Sequence, residues 1–570
     1  MNTPSNAAAL PELDVADWSL VQPRLQQFID ATPDSPDALR RWVSELSRLS
    51  EVIYEFGSRK NIDNACHTDD EAIEAAYLHW VREIAPKLQP MFFEIQKNYL
   101  ANPHRDALTD QGFDMMLREW SADVDIFRPE NVALQTQITE LVTQYDKLQG
   151  AMMIEFRGET YTPQQIARFY DDVDRDTREQ AWRAAAERRY VDHEAVEDLF
   201  DPMLKLRQQV AQNAGFNDYR EYIWTSRYRF DYTPEDCLEF GKAVERVCMP
   251  LAQQVDVDRK AALGVDTLRP WDTSVDVHGR PPLRPFDPKN IDDFVAKTRI
   301  IFDRIDPRLA AGFDALSEHG NLDLDSRKGK RPGGFQASLE ATRQPFIFMN
   351  AAGLQRDVET LIHEGGHAFH YQAASTIDNL FVRHAPLEFC EVASMSMELL
   401  AMDHFDVFYD SEQNTARAKR SKLEGVLHTL TWVATIDGFQ HWLYTHPGHT
   451  RDEREAAWLD LLSRFGSDVV DWTDLENFRR TMWHRQVHLF HVPFYYIEYA
   501  IAQLGALGVW LNYRRDPKAA LAQLLDAFAL GGAAPLPTLF ETAGVNFDFS
   551  EKTIAPLVEN LQQEIEALPV

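Results

Sequence analysis

Apolar residues return at helical spacing along most of the chain, and the clearest stretches lie at 36–56, 69–99, 129–148 and 356–372. Spacing of i, i+3, i+4 puts such residues on one face and predicts amphipathic helices. Ser35-Pro36 reads as an N-cap followed by proline at the first helical position, where the missing N–H is not needed. Thr162-Pro163 repeats that start signal. The rhythm breaks in three places. Residues 153–162 surround Arg157-Gly158-Glu159 and predict a short hairpin. Residues 264–288 are rich in proline and without period, which predicts a long irregular connection of functional or covering type. Finally, 333–339 and 345–349 predict two short strands, so a small sheet borders the helix at 356–372. The pattern is mainly α, with a soft boundary near residue 150 separating an N-terminal helical region, 1–150, from a larger region, 151–570.

At 570 residues the chain exceeds what one hydrophobic core supports, so two or more lobes are expected. A formal net charge of −32 argues against nucleic acid and anionic membranes, because phosphate binding needs clustered Lys and Arg. Solubility is the plain reading of that charge; an acidic cleft for cationic peptides is the second. The four cysteines show no paired spacing, so neither disulfides nor a Cys-ligated metal is expected. No basic n-region with an apolar core opens the chain, and no 18-residue apolar run occurs. A cytoplasmic protein with reduced thiols is the expectation.

Candidate chemistry concentrates in His363-Glu364-Gly365-Gly366-His367. On a helix, H-E-x-x-H puts two imidazoles at i and i+4 on one face, as a tetrahedral zinc requires, with the glutamate free to act on bound water. Two adjacent glycines each cost about 1 kcal/mol in a helix interior, which predicts a close approach of substrate or a neighbouring helix. Downstream, Glu388, Glu391, Met395 and Glu398 follow i, i+3, i+7 and i+10, lining three carboxylates on one helical face. Such a run is either a solvated face or a buried cation site, since carboxylates are rarely buried unpaired. Glu391 is the candidate third ligand. Glu388 or Glu398 would accept a ligand histidine's remaining N–H, and Glu359 competes for that task. A third cluster holds His484, His488 and His491, followed by Pro493, Tyr495, Tyr496 and Tyr499. A second metal site there lacks a carboxylate. Structural roles are one alternative, and the other is that His488 with Tyr495, Tyr496 or Tyr499 donates to an oxyanion opposite the metal.

With these residues the chain resembles the oligoendopeptidase F and thimet oligopeptidase family of zinc peptidases, in its bacterial oligoendopeptidase F-like branch. The likeness runs over most of the chain from about residue 150. It is most specific at 357–362 leading into HEGGHAFH, at Glu391-Val392-Ala393-Ser394, from His488 to Tyr496, and at Gly531 to Pro537. The resemblance implies a two-lobed helical ellipsoid with a deep central substrate channel, one zinc per chain, and hydrolysis of internal bonds in short peptides. Carried over by residue, it implies His363, His367 and Glu391 as zinc ligands and Glu364 as general base. Gly365 stands where many relatives carry a bulky apolar residue, which would widen the local wall. Substrate is expected along the strand at Gly333, Gly334 and Phe335, with Tyr496 nearby. The rival readings are a metallocarboxypeptidase of related helical fold and a non-catalytic peptide-binding protein; the intact Glu364 argues against the last.

Overall fold

A computed structural model describes residues 13–569 apart from 328 and 332. Helix α1, Pro36–Cys66, starts as its sequence predicts: the Ser35 side chain accepts the Ala38 N–H and Pro36 opens the first turn. The stretch at 69–99 is not one helix. It forms Glu71–His79, a π turn at Trp80–Ile84, and Ala85–Ala101. Pro86, in the first turn of the last piece, has no N–H to continue the ladder, so the interruption falls just before it. Thr162 closes a capping box with Gln165, although the helix it starts, Pro163–Ile166, lasts a single turn.

The predicted hairpin forms between β1, Ile154–Phe156, and β2, Glu159–Tyr161. Arg157 and Gly158 both take positive φ, 53° and 82°, as a two-residue hairpin loop demands. The second sheet has one strand more than expected. Its strands are β3, Leu322–Asp325, β4, Phe335–Leu339, and β5, Gln344–Ala351, in the order β3-β5-β4. Strand β3, of sequence Leu-Asp-Leu-Asp, lacks the β-branched signal of a strand; Arg327 and Lys330 pair with its Asp323 at 2.5 and 2.7 Å. Strand β4 sits at the sheet edge. Phe335, Ala337 and Leu339 pack with Ile62, Ala65 and Cys66 of α1, and the intervening Gln336 and Ser338 belong to the opposite face.

Six longer helices of the C-terminal part are α2, Pro234–Leu263, α3, Ile291–Ile305, α4, Gln355–Ala374, α5, Leu387–Met402, α6, Glu412–Thr445, and α7, Tyr496–Arg515. Helix α5 is buried along nearly its whole length between α4 and α7. One large apolar core gathers these helices, while a second joins residues between Val15 and Trp120 with Val382. Between the two cores lies a buried ion network. Arg383 bonds Glu51 of α1 and Glu340 Oε2, the latter at 2.8 Å, and donates to the Ile377 carbonyl at 3.0 Å. Adjoining cavities of about 1510 and 570 Å³ share Tyr170 and Ser274 in their walls and form the channel of a mainly α-helical fold. No helix among the described residues is long and apolar enough to cross a membrane.

The paired glycines of α4 have distinct reasons. A Cβ on Gly366 would stand 2.6 Å from Ser394 Cα and 2.8 Å from the Ala393 carbonyl, so α5 approaches the α4 backbone directly. Gly365 faces the other way, where a Cβ would meet the Phe302 ring of α3 at 2.8 Å. The space at Gly365 is therefore filled by Phe302, and the wider channel wall expected there does not arise. Helix propensity favours Gly366→Ala by about 1 kcal/mol, whereas overpacking costs roughly 1–3 kcal/mol. Backbone cannot yield as a flexible side chain does, so a lower Tm is expected for Gly366→Ala; a raised Tm would mean the helices separate freely.

Candidate active site

Helix α4 brings His363 and His367 to one face, with their Nε2 atoms 3.2 Å apart. Helix α5, held close by Gly366, delivers Glu391, whose Oε2 lies 3.4 Å from His363 Nε2 and 3.7 Å from His367 Nε2. These donor atoms all fall within 4.8 Å of one another. Two imidazoles and a carboxylate at such separations could hold a divalent metal ion and leave a position open. Ser394 Oγ donates to Glu391 Oε2 at 3.1 Å and the Tyr495 hydroxyl donates to Oε1 at 3.2 Å, which fixes the carboxylate's plane.

Of the three candidates for holding a ligand histidine, Glu398 lies at the ring: its Oε1 is 2.7 Å from His363 Nδ1, leaving Nε2 for the metal. Its other oxygen pairs with Lys422 of α6. Glu359 accepts from Gln355 at 3.0 Å and lies 4.0 Å from Lys422, one step further out. Glu388 turns away, accepting from the Tyr232 hydroxyl at 2.7 Å with Arg229 at 3.7 Å, in a buried network that includes Glu498. Burial opposes charge on His363, but Glu398, Glu391 and Glu364 outweigh it and raise its pKa to about 9. Burial and repulsion from His363 lower His367 to about 3. Burial alone would raise Glu398; Lys422 and His363 instead bring it to about 2. The cluster thus holds a proton on His363, and binding a cation releases it.

Glu364 is 6% exposed, and burial raises its carboxyl to about 7, with a backbone hydrogen bond at Gln336 of β4 acting against the shift. So the edge strand and the glutamate meet. Gly333 and Gly334 lie exposed just before that edge, and the Gly333 carbonyl accepts from Asn350 at 3.0 Å. Phe335 is taken up beneath α1, stacked on Phe348 with centroids 4.8 Å apart.

The three histidines near the C-terminus do not converge. His484 pairs with Glu197 at 3.2 Å and His491 meets Tyr145 edge-on, while His488 stands among Tyr495, Tyr496 and Tyr499. Pro493 ends the helix Val487–His491, and Phe494 takes a left-handed φ of 63°. Arg229, donating to the Phe494 carbonyl at 2.6 Å, and Gln440, accepting its N–H, hold that reversal and aim Tyr495 at Glu391. Trp432 Nε1, which can only donate, lies 3.3 Å from Gln486 Oε1. That orients the amide, so Gln486 Nε2 donates to His488 Nδ1 at 3.0 Å and the ring proton sits on Nε2. Burial and repulsion from His491 lower the His488 pKa to about 4, keeping it neutral. Tyr496 turns its hydroxyl to Gln486 and Trp432. Lys422 and Gln486 went unassigned in the sequence: Lys422 lies 24 residues from Glu398 on another helix, with no local spacing to signal it.

Among the described residues, Cys237, Asp437 and His441 also bring donor atoms within 4.8 Å. Burial raises the Cys237 thiol well above its usual pKa.

The profile of peptidase family M3 matches residues 169–283 and 312–558, and that of the peptidase M3 N-terminal domain matches 12–127. The chain belongs to peptidase family M3. Oligopeptidase PepF of Bacillus subtilis strain 168 is 23% identical over 256 residues, a match spanning 43% of this chain and 37% of that protein. The structure of PZ peptidase A with an inhibitor superposes with a TM-score of 0.89 at 24% identity, covering 99% of each chain. A structure provisionally assigned as an oligoendopeptidase F gives 0.90 at 23% identity, covering 99% of this chain and 98% of that one. At these identities the likeness establishes the fold.

Glu398→Gln keeps the shape beside His363 but removes the charge that Lys422 and the imidazole share. A fall of about 10- to 100-fold in metal affinity is expected, measured by competition with a chromophoric chelator. Unchanged affinity would assign Glu398 to packing alone.

Proposed function

We propose that the protein is a zinc-dependent oligoendopeptidase that hydrolyses internal bonds of short peptides. The observation that carries this reading is Glu364, a buried base placed between the His363/His367/Glu391 donor set and the edge strand β4. His363, His367 and Glu391 would hold one zinc per chain. Zinc bound there supplies Lewis acidity to the scissile carbonyl and lowers the pKa of water toward neutrality. An extended peptide lies along the free edge of β4, which an added strand can pair. Glu364 takes the proton of the attacking water and passes it to the departing amine. His488, with its proton on Nε2, and the Tyr499 hydroxyl donate to the developing oxyanion, while Tyr495 orients Glu391.

End-blocked peptides of graded length, mapped by mass spectrometry, test the reading. Internal cuts in short peptides, lost with chelator and restored by zinc, are expected. Glu364→Gln should lower kcat by about a thousandfold or more with metal content unchanged. Cleavage confined to peptides with a free C-terminus, one residue at a time, would indicate the carboxypeptidase instead. The tyrosines separate by kinetics: Tyr499→Phe lowers kcat about a hundredfold at constant KM, whereas Tyr495→Phe weakens metal binding. The reverse pattern would hand the oxyanion role to Tyr495.

A further inference from the structure

The smaller cavity, about 570 Å³, has walls of Trp182, Trp271, Trp432 and Trp472, with Arg189 and Arg485 projecting among them. A third arginine of that wall, Arg479, donates to the Leu462 carbonyl at 3.3 Å. Four arginines of the adjoining larger cavity are neutralised by carboxylates in pairs. Arg259 and Arg420 share Glu424 at 3.0 and 2.7 Å, and Arg280 and Arg417 share Asp276 at 2.9 and 2.8 Å. Arg189 and Arg485 differ. Neither forms an ion pair among the described residues, and the ionisable groups that act on Arg485 are Arg189, Tyr170 and Tyr496. Arg189 hydrogen-bonds Tyr170. Asp256, the one carboxylate among the cavity's lining residues, pairs with neither.

The position is built rigidly. Arg485 closes the 3₁₀ turn Met482–Arg485, whose His484 carbonyl accepts from the Tyr145 hydroxyl at 2.9 Å. The next residue, Gln486, is the one that orients His488. Arg485 is open to channel water, yet protein surrounds it, and desolvation together with repulsion from Arg189 lowers its pKa to about 10. Two guanidinium groups facing one cavity repel each other, and an anion bound with both relieves the repulsion. A planar carboxylate matches the guanidinium fork. The tryptophan walls suit an apolar side chain beside that carboxylate.

We propose that this cavity is a carboxylate subsite, in which Arg485 and Arg189 bind the carboxylate of a short peptide's C-terminal end while the tryptophans receive the neighbouring side chain. The proposal rests on the oligopeptidase reading and adds its substrate class: peptides anchored by an anion at a fixed reach from the cut.

The test compares one N-acetylated peptide as free acid, as C-terminal amide, and as amide with a terminal glutamate. For wild type, the acid should show a KM about tenfold to a hundredfold below the plain amide. Arg485→Gln should erase that difference and Arg485→Lys restore part of it, with kcat little changed. A glutamate amide that behaves like the acid identifies a side-chain carboxylate as an accepted anion; one that behaves like the plain amide restricts the subsite to the α-carboxylate. Equal KM for acid and amide in wild type, or an equal loss for both in Arg485→Gln, overturns the proposal. Calorimetric binding of the same peptides to the zinc-loaded Glu364→Gln variant reads the subsite without turnover. Absence of cleavage in wild type would then sink the peptidase reading, while equal binding of acid and amide would sink the subsite.

Discussion

The approach of α5 to the backbone of α4 at Gly366 sets the geometry on which the site depends. With no side chain at that position, Ser394 and Ala393 come within contact of the helix that carries both histidines. That brings Glu391 to 3.4 and 3.7 Å from the two imidazoles. An alanine's Cβ, 2.6 Å from Ser394 Cα, would push the helices apart by more than the roughly 0.2 Å tolerance of a metal–ligand distance. The helical dipeptide that looks weak by propensity is therefore the element that fixes the distance between ligands.

Around this contact, charges are buried only in sets. Glu398 lies between His363 and Lys422, and Glu388 and Glu498 share Arg229. A carboxylate taken from water without such a partner costs several kcal/mol. The three acidic residues spaced along α5 thus have separate partners: Glu391 faces the donor set, Glu398 braces it, and Glu388 ties α5 to the segment that starts α7. Because Arg229 also holds the Phe494 carbonyl, the same cation that compensates Glu388 positions the tyrosines.

Much of this was legible in the chain. Caps and periodicity located α1 and α4, and the two-residue loop at Arg157-Gly158 located the hairpin, since these signals are local. The i, i+3, i+7, i+10 run exposed α5's acidic face but could not distribute Glu388, Glu391 and Glu398, whose partners come from the Arg229–Tyr232 segment, α4 and α6. Strand β3 escaped because its Asp-rich alternation is stabilised by ion pairs rather than by β-branched packing. The break at Trp80–Ile84 escaped because amphipathic spacing continues through it. Gly365 misled for a similar reason: which neighbour fills a small residue's space is a tertiary fact, and here it is Phe302.

Arg383 carries a consequence for how the chain is assembled. Its guanidinium, 1% exposed, spans Glu51 from the N-terminal helices and Glu340 from the turn after β4. The two family profiles treat those parts as separate segments. Cut between them, Arg383 would keep Glu340 but lose Glu51, and the Glu51 carboxylate would lose its buried guanidinium. Sequence modularity and folding modularity therefore part company in this molecule: the segment matched by one profile is a wall of the interior matched by the other.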